Sequence, residues 1–490
     1  MFSGLRSDVA VRIPHYINDF TDAMHRKVVS STFYLFFACL ANAIAFGALS
    51  GFLTHGEIGT IEMIVATAIG GISYALFSAQ PIILLGGTGP IVIFTALLYQ
   101  ACAVLEITFI TTYAWVGIWA GAILLVLSVT NASNWMRYFS RFTDDIFATL
   151  VSIIFIVEAV GNLWAGICEP GQSTDTRAMI AVLALGTFAI AIAFAMIGRS
   201  ERFRDSVLIK VSDFGPSIAI AVMAIVAFSF PWISVQGPVL PPSFEATTSG
   251  RPWSVDIFAA PPWVILASVV PACFAAILLY LDQNITSRII NKSGEAFKKG
   301  KGYHVDLMIV GALTFGFSLF GMPWIVAATV HSVNHLKGLS GVREVAGKAQ
   351  RYVIENRVSA LAVHALIAAS IFLLDLVTLI PVPVLFGLFV YMGYVSLRGN
   401  DFAFRSLQTL RSLVKSGPIG PDEIESVAVR RYTVLQAAAF VVLWVVKSSV
   451  IGILFPIFIA LCVPFRIYIA RWFEDKDLEV LDDFDPTRPL

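Results

Sequence analysis

Two irregular stretches interrupt apolar runs of membrane length, and no other feature constrains this chain as tightly. The first is Gly86-Gly87-Thr88-Gly89-Pro90, and the second runs Pro323-Trp324-Ile325-Val326-Ala327-Ala328-Thr329-Val330-His331. Lipid cannot satisfy free backbone N–H and C=O groups, so irregular backbone at membrane depth persists only where protein covers it or a watery cavity adjoins it. A short apolar segment follows each stretch, residues 91–99 and 332–339, about half of what a full span needs. Two broken helices, one in each half of the chain, predict a transport site at the bilayer midplane.

The remainder reads as an all-α polytopic membrane protein. Of 490 residues 57% are hydrophobic and 13% charged, against about 25% charged in soluble domains. Zero net charge leaves no electrostatic footprint for nucleic acid. The apolar runs predict spans at 30–53, 60–79, 107–130, 143–165, 177–198, 214–234, 262–286, 303–321, 358–380, 382–397, 432–448 and 449–470. With the two half-helices the number of crossings reaches about fourteen.

Basic residues orient them. Arg26 and Lys27, Arg137 and Arg141, Arg199 to Lys210, Lys292 to Lys301, Arg343 to Arg357, and Arg398 to Arg431 all fall on one side, whereas residues 234–261 hold only Arg251. Both termini are therefore expected in the cytoplasm. Seven crossings per half is an odd number, so the halves are expected to be inverted repeats. The boundaries that follow are a cytoplasmic segment 1–29, a first repeat 30–234, an extracellular loop 235–261, a second repeat 262–472 and an acidic cytoplasmic tail 473–490. Residues 400–416 pattern as an amphipathic helix on the inner leaflet.

Ionisable residues inside spans are functional candidates. Asp282 and Thr286 share one helix face at i, i+4; a carboxylate, a hydroxyl and freed backbone carbonyls such as that of Ala328 suit sodium, a hard cation. Thr88 and Gly89 open the first half-helix, and Thr329, Val330 and His331 open the second, where N–H groups and the helix dipole favour an anion. His335 and His364 fit satisfied interior residues, and Glu62 and Glu158 fit either gates or groups that hold helices together. The five cysteines show no CxxC or metal spacing and read as packing residues. No nucleophile-elbow, P-loop or zinc signature is present, so an enzyme is not expected and no cofactor is implied beyond sodium as a co-substrate.

Several runs carry a family resemblance: residues 80–90 around Gly86-Gly87-Thr88-Gly89-Pro90, Arg141-Phe142-Thr143-Asp144-Asp145, Asp282-Gln283-Asn284-Ile285-Thr286, Met322-Pro323-Trp324 and Leu443-Trp444-Val445-Val446-Lys447-Ser448. In these runs, taken in order over nearly its whole length, the chain resembles the anion exchanger and sodium-bicarbonate cotransporter family. The resemblance implies fourteen helices in two inverted repeats, a core and a gate domain, a homodimer in the plasma membrane and elevator-like movement of the core. It also implies an anion held between Thr88 and Gly89 on one side and Thr329, Val330 and His331 on the other. Sodium-coupled members place an Asp and a Thr at the positions of Asp282 and Thr286. Electroneutral exchangers carry Glu in place of Asp282 and Arg in place of His331, so the chain stands between subtypes.

Electrostatics then weighs toward sodium. An anion beside an ionised Asp282 meets repulsion on the order of several kcal/mol at low effective dielectric; sodium relieves it at neutral pH, whereas His331 relieves it only when protonated. The expectation is sodium-coupled bicarbonate or carbonate transport. The alternatives are a borate or proton-coupled anion carrier, a chloride-bicarbonate exchanger and, from a different class, an anion channel or a membrane scaffold that transports nothing.

Overall fold

The computed structural model describes residues 2–199, 214–235, 237, 244–248, 250–292, 297–345, 348–373, 378–414, 426–449 and 451–482. Arg202, Arg204, Lys210 and Lys415 of the basic clusters, parts of the 235–261 loop and of the span expected at 358–380, and tail residues 483–490 lie outside them.

Helices dominate, because a backbone in lipid must bond to itself. The amino-terminal segment forms α1 (Ser3–Arg12) and a single turn, α2 (Asn18–Thr21). Then follow α3 (Arg26–Leu53), α4 (Thr60–Phe77), α5 (Gly89–Val104), α6 (Phe109–Val129), α7 (Arg141–Cys168), α8 (Thr174–Arg199) and α9 (Gly215–Phe228). The second half contains α10 (Pro262–Ala267), α11 (Val269–Lys292), α12 (His304–Ser318), α13 (Thr329–Leu339), α14 (Val358–Ala369), α15 (Val382–Arg398), α16 (Asp401–Val414), α17 (Ser426–Lys447), α18 (Phe455–Ile469) and α19 (Asp475–Asp482).

Among the described residues eight helices are long and apolar enough to cross a membrane, or nine if α15 and α16, bent by 74°, count as one span. Four shorter apolar helices accompany them: Gly89–Val104, Gly215–Phe228, His304–Ser318 and Val358–Leu373. Among the described residues, eight or nine helices thus have full span length where fourteen crossings were expected, and the other apolar helices are shorter.

Three local details differ from expectation. The first half-helix, α5, runs on to Val104 rather than ending near Tyr99, since Gln100-Ala101-Cys102-Ala103-Val104 contains no breaker. The loop before α14 is a hairpin, β3 (Ser340–Val345) paired antiparallel with β4 (Lys348–Val353). Of the cysteines, Cys39, Cys102 and Cys462 are buried, but Cys168 and Cys273 are exposed, so the packing role expected for all five holds at most for three.

The chain divides into two compact units, each discontinuous in sequence. The first comprises Met1–Asn134 and Gly166–Leu388, and the second Trp135–Ala165 and Phe389–Leu490. In the first unit α6 lies against α12 so closely that a Cβ at Gly121 would fall 2.7 Å from the Phe315 nitrogen and 2.8 Å from the Gly311 carbonyl. Small residues let helix backbones approach in this way. Similarly, a Cβ at Gly71 of α4 would overlap the His364 ring of α14. In the second unit Arg405 of α16 pairs with Asp145 of α7 at 3.2 Å, and Arg141 pairs with Asp401, so the amphipathic helix is anchored by ions while Phe404, Leu407 and Leu410 stay exposed.

Candidate transport site

Every irregular residue ahead of the half-helices raises an accounting question, because each buried N–H and C=O needs a partner. The two stretches first meet each other. Leu85 and Gly86 (β1) pair antiparallel with Ala327 and Val326 (β2), and the Ala328 N–H donates to the Leu84 carbonyl at 2.9 Å.

Side chains supply the rest. Asp306 Oδ1 accepts from the Ala79 and Gln80 N–H groups at 2.7 and 3.3 Å. His335 Nδ1 lies 2.7 Å from the Ile82 carbonyl, and its Nε2 lies 2.7 Å from Ser359 Oγ. The Leu84 N–H donates to Ser332 Oγ at 3.0 Å, His364 Nε2 lies 3.3 Å from the Leu85 carbonyl, and Asn42 donates to the Gly87 carbonyl at 3.1 Å. On the other stretch, the Ala327 N–H donates to Gln283 Oε1 at 3.1 Å and the Trp324 N–H to Tyr113 Oη at 3.3 Å. Gln283 in turn donates to Tyr74 Oη at 3.1 Å. Each such bond averts a desolvation penalty of about 1–3 kcal/mol. This cradle, including Asn42, Gln283, Ser332 and Asp306, escaped sequence reasoning; buried Asn, Gln and Ser in apolar runs were the available signal.

The predicted site residues sit where these stretches become helical. Thr88 is the residue before α5, with Gly89 and Pro90 opening the helix; Ala328 precedes α13, which begins with Thr329, Val330 and His331. Helix α11 faces both starts. Thr88 Oγ1 donates to Asp282 Oδ2 at 2.7 Å, while Thr286 Oγ1 and Thr329 Oγ1 share a hydrogen bond of 2.6 Å. Thr286 also donates to the Ala327 carbonyl at 3.4 Å. One face of α11 thereby ties the first half-helix through Asp282 and the second through Thr286.

The three residues expected to hold sodium are each bound to different protein groups. Asp282 accepts from Thr88, Thr286 is shared with Thr329, and the Ala328 carbonyl accepts from the Ser332 N–H at 2.9 Å and from Ser332 Oγ at 2.8 Å. His331 turns toward α3, with Nε2 3.2 Å from the Ala38 carbonyl. Val330 is 68% exposed.

The remaining candidates hold structure together. Glu62 is fully buried; it accepts from the Gly59 N–H at 3.0 Å, from the Thr247 N–H at 2.7 Å and from Thr247 Oγ1 at 2.6 Å, and pairs with Arg251 at 3.0 Å. It therefore pins part of the linker between the halves to the start of α4. Glu158 pairs with Lys447 at 2.8 Å within the second unit.

A second cluster was not anticipated. Asp19, wholly buried, meets Arg12 at 2.7 Å, Lys299 at 3.1 Å and Arg357 at 3.0 Å. Arg357 also donates to the carbonyls of Ala75, Leu76 and Ser78 at 2.8, 3.2 and 2.7 Å, closing the end of α4 that leads into the first stretch. Asp8 accepts from the N–H groups of Tyr303, His304 and Val305 at 3.1, 2.7 and 3.1 Å, capping α12. The amino-terminal segment is thus built into the first unit.

Comparison with known proteins agrees with this architecture. The family model for the HCO3- transporter integral membrane domain matches residues 1–170 and 165–486. Anion exchange protein 3 of Rattus norvegicus is 33% identical over 99% of this chain, and anion exchange protein 2 of Oryctolagus cuniculus is 31% identical over 98%. The chain spans 43% of the length of each of these relatives. Among solved structures, the transmembrane domain of the cyanobacterial bicarbonate transporter BicA superposes with a TM-score of 0.60 at 16% identity, covering 85% of this chain and 96% of that one. Murine Slc26a9, an anion transporter in its inward-facing state, superposes with a TM-score of 0.61 at 12% identity, covering 94% of this chain and 71% of that one. The broken helices, the side-chain cradle and the family match agree: this multi-pass, all-α chain belongs to the HCO3- transporter family and carries its integral membrane domain.

Proposed function

We propose that the chain is a secondary transporter of small inorganic anions, bicarbonate among them, working as an anion exchanger by elevator-like alternating access. The observation that carries this reading is the convergence of two helix starts, at Thr88 and Thr329, on a single face of α11. Helix N-termini present N–H groups and partial positive charge to an anion. The curated relatives are named for anion exchange along the whole of this chain, which favours exchange over the sodium coupling expected from Asp282.

The anion contacts in this reading are Thr88, Gly89, Thr329, Val330 and His331. With α13, the four shorter helices and the bent α15–α16 pair added to the eight long ones, the crossings number the fourteen of two inverted repeats, 30–234 and 262–472, joined by an external loop at 235–261. Both termini, including segments 1–29 and 473–490, then face the cytoplasm of a plasma-membrane homodimer.

Proteoliposomes loaded with a pH dye test the proposal. An outward chloride gradient should drive bicarbonate entry and internal alkalinisation, with or without sodium. Uptake that ignores chloride and requires a sodium gradient would replace exchange with the sodium-coupled reading at Asp282 and Thr286. Flux that neither saturates nor shows counterflow would indicate a channel.

A further inference from the structure

Outside the transport site the second unit carries a groove of about 350 Å3 lined by Arg430, Arg431, Val434, Leu435, Trp472 and Phe473. That volume falls in the range of about 300–1,000 Å3 typical of small-ligand clefts. Its two arginines come from the start of α17, and its aromatic rings follow α18. Phe473 packs edge-on against Tyr432 at 5.9 Å, and Tyr468 packs edge-on against Trp472 at 5.7 Å, so the aromatic wall is held in place. Val434 and Trp472 are nonetheless more than half exposed.

Charge distinguishes this pair of arginines. Arg141 and Arg405 in the same unit are matched by Asp145 and Asp401. Among the described residues neither Arg430 nor Arg431 enters an ion pair. The groove wall is almost wholly apolar, so the two exposed arginines border it with their hydrocarbon stems and leave their guanidinium groups outside it. A fitting ligand therefore needs one anionic end and a hydrocarbon remainder. Guanidinium forks suit phosphate, tryptophan favours the level of lipid headgroups, and basic pockets between membrane helices take anionic lipid.

We propose that this groove binds an anionic phospholipid, its phosphate between Arg430 and Arg431 and one acyl chain along Val434, Leu435 and Trp472. Soluble phosphate would leave the apolar wall uncovered, and a choline headgroup would bring a cation against two arginines.

Native mass spectrometry of the full chain released from detergent tests this, with added phosphatidylglycerol or phosphatidylcholine of identical acyl chains. Phosphatidylglycerol adducts should predominate. The R430Q/R431Q double variant should weaken phosphatidylglycerol binding about thirtyfold, and R430K/R431K should retain most of it. Trp472→Ala should weaken both lipids, whereas Arg177→Gln, which removes an exposed arginine elsewhere, should change neither. Equal binding of the two lipids, or undiminished phosphatidylglycerol binding by the double glutamine variant, overturns the proposal. So does displacement of the lipid by glycerol 3-phosphate, or a dimer that occupies the groove in its place.

Discussion

At the scale of single residues, the molecule solves its main problem with polar side chains placed in apolar helices. Thr286 is one: its hydroxyl reaches Thr329 at the head of α13. Thr286→Val should lower anion exchange in proteoliposomes strongly while reducing stability by only about 0.5–1.5 kcal/mol, and Thr286→Ser should restore flux. Full exchange by the valine variant would remove Thr286 from the site. Asp19 is another, and its role is stability. Removing its carboxylate leaves Arg357 without its carboxylate partner and Arg12 and Lys299 with only Glu355 and Asp22, and breaking a buried ion pair costs about 3–5 kcal/mol. A large drop in the thermal midpoint of Asp19→Ala, measured in detergent, is the expected result; an unchanged midpoint would show that water or a neighbouring group takes over.

At the scale of elements, close helix contacts and broken helices depend on each other. The cradle around residues 79–88 works only if α14 comes near enough for His364 to reach the Leu85 carbonyl, and Gly71 makes that approach possible. The α6–α12 contact makes the same demand at Gly121. There a Cβ meets backbone atoms that cannot rotate away, so Gly121→Ala should destabilise by about 1–3 kcal/mol through overpacking. Gly316 lies on α12 with open space around it. Gly316→Ala should be neutral or stabilising by up to about 1 kcal/mol, as alanine is the better helix former. Thermal midpoints of the two variants should move in opposite directions, and a shared direction would contradict the packing account. The helices themselves were legible in the sequence: expected spans such as 60–79 and 143–165 correspond to Thr60–Phe77 and Arg141–Cys168. Helix ends, the β3–β4 hairpin and the shortness of α9 and α12 were not, because run length alone says nothing of where a neighbouring backbone takes over the hydrogen bonds.

At the scale of the molecule, the amino-terminal segment belongs to the first unit as firmly as the membrane helices do. Asp8 caps α12, Asn131 accepts from the Gly4 N–H at 2.8 Å, and Asp19 gathers Arg12, Lys299 and Arg357. Deleting residues 2–22 should therefore lower the yield of folded protein sharply, as read by size-exclusion profile, whereas Asp8→Asn alone should cost about 0.5–2 kcal/mol as a lost cap. A truncated chain that elutes and melts like the full one would show the segment to be dispensable.

Several properties were set by sequence alone: the membrane class, the positions of the long spans, the two broken helices and the residues at their heads. Each follows from local rules, since lipid demands apolar runs of fixed length and glycine, proline and threonine mark where a helix must stop and restart. Tertiary structure decided which polar groups those breaks would meet. Antiparallel pairing of β1 with β2 joins stretches about 240 residues apart in sequence, and it turns one face of α11 toward both half-helices. The same long-range packing gave Asp282, Thr286 and Ala328 protein partners, committed Glu62 to the linker and built the Asp19 cluster from three separate segments. Hydrogen bonds between residues so far apart depend on how helices pack, and no local pattern in the chain encodes that.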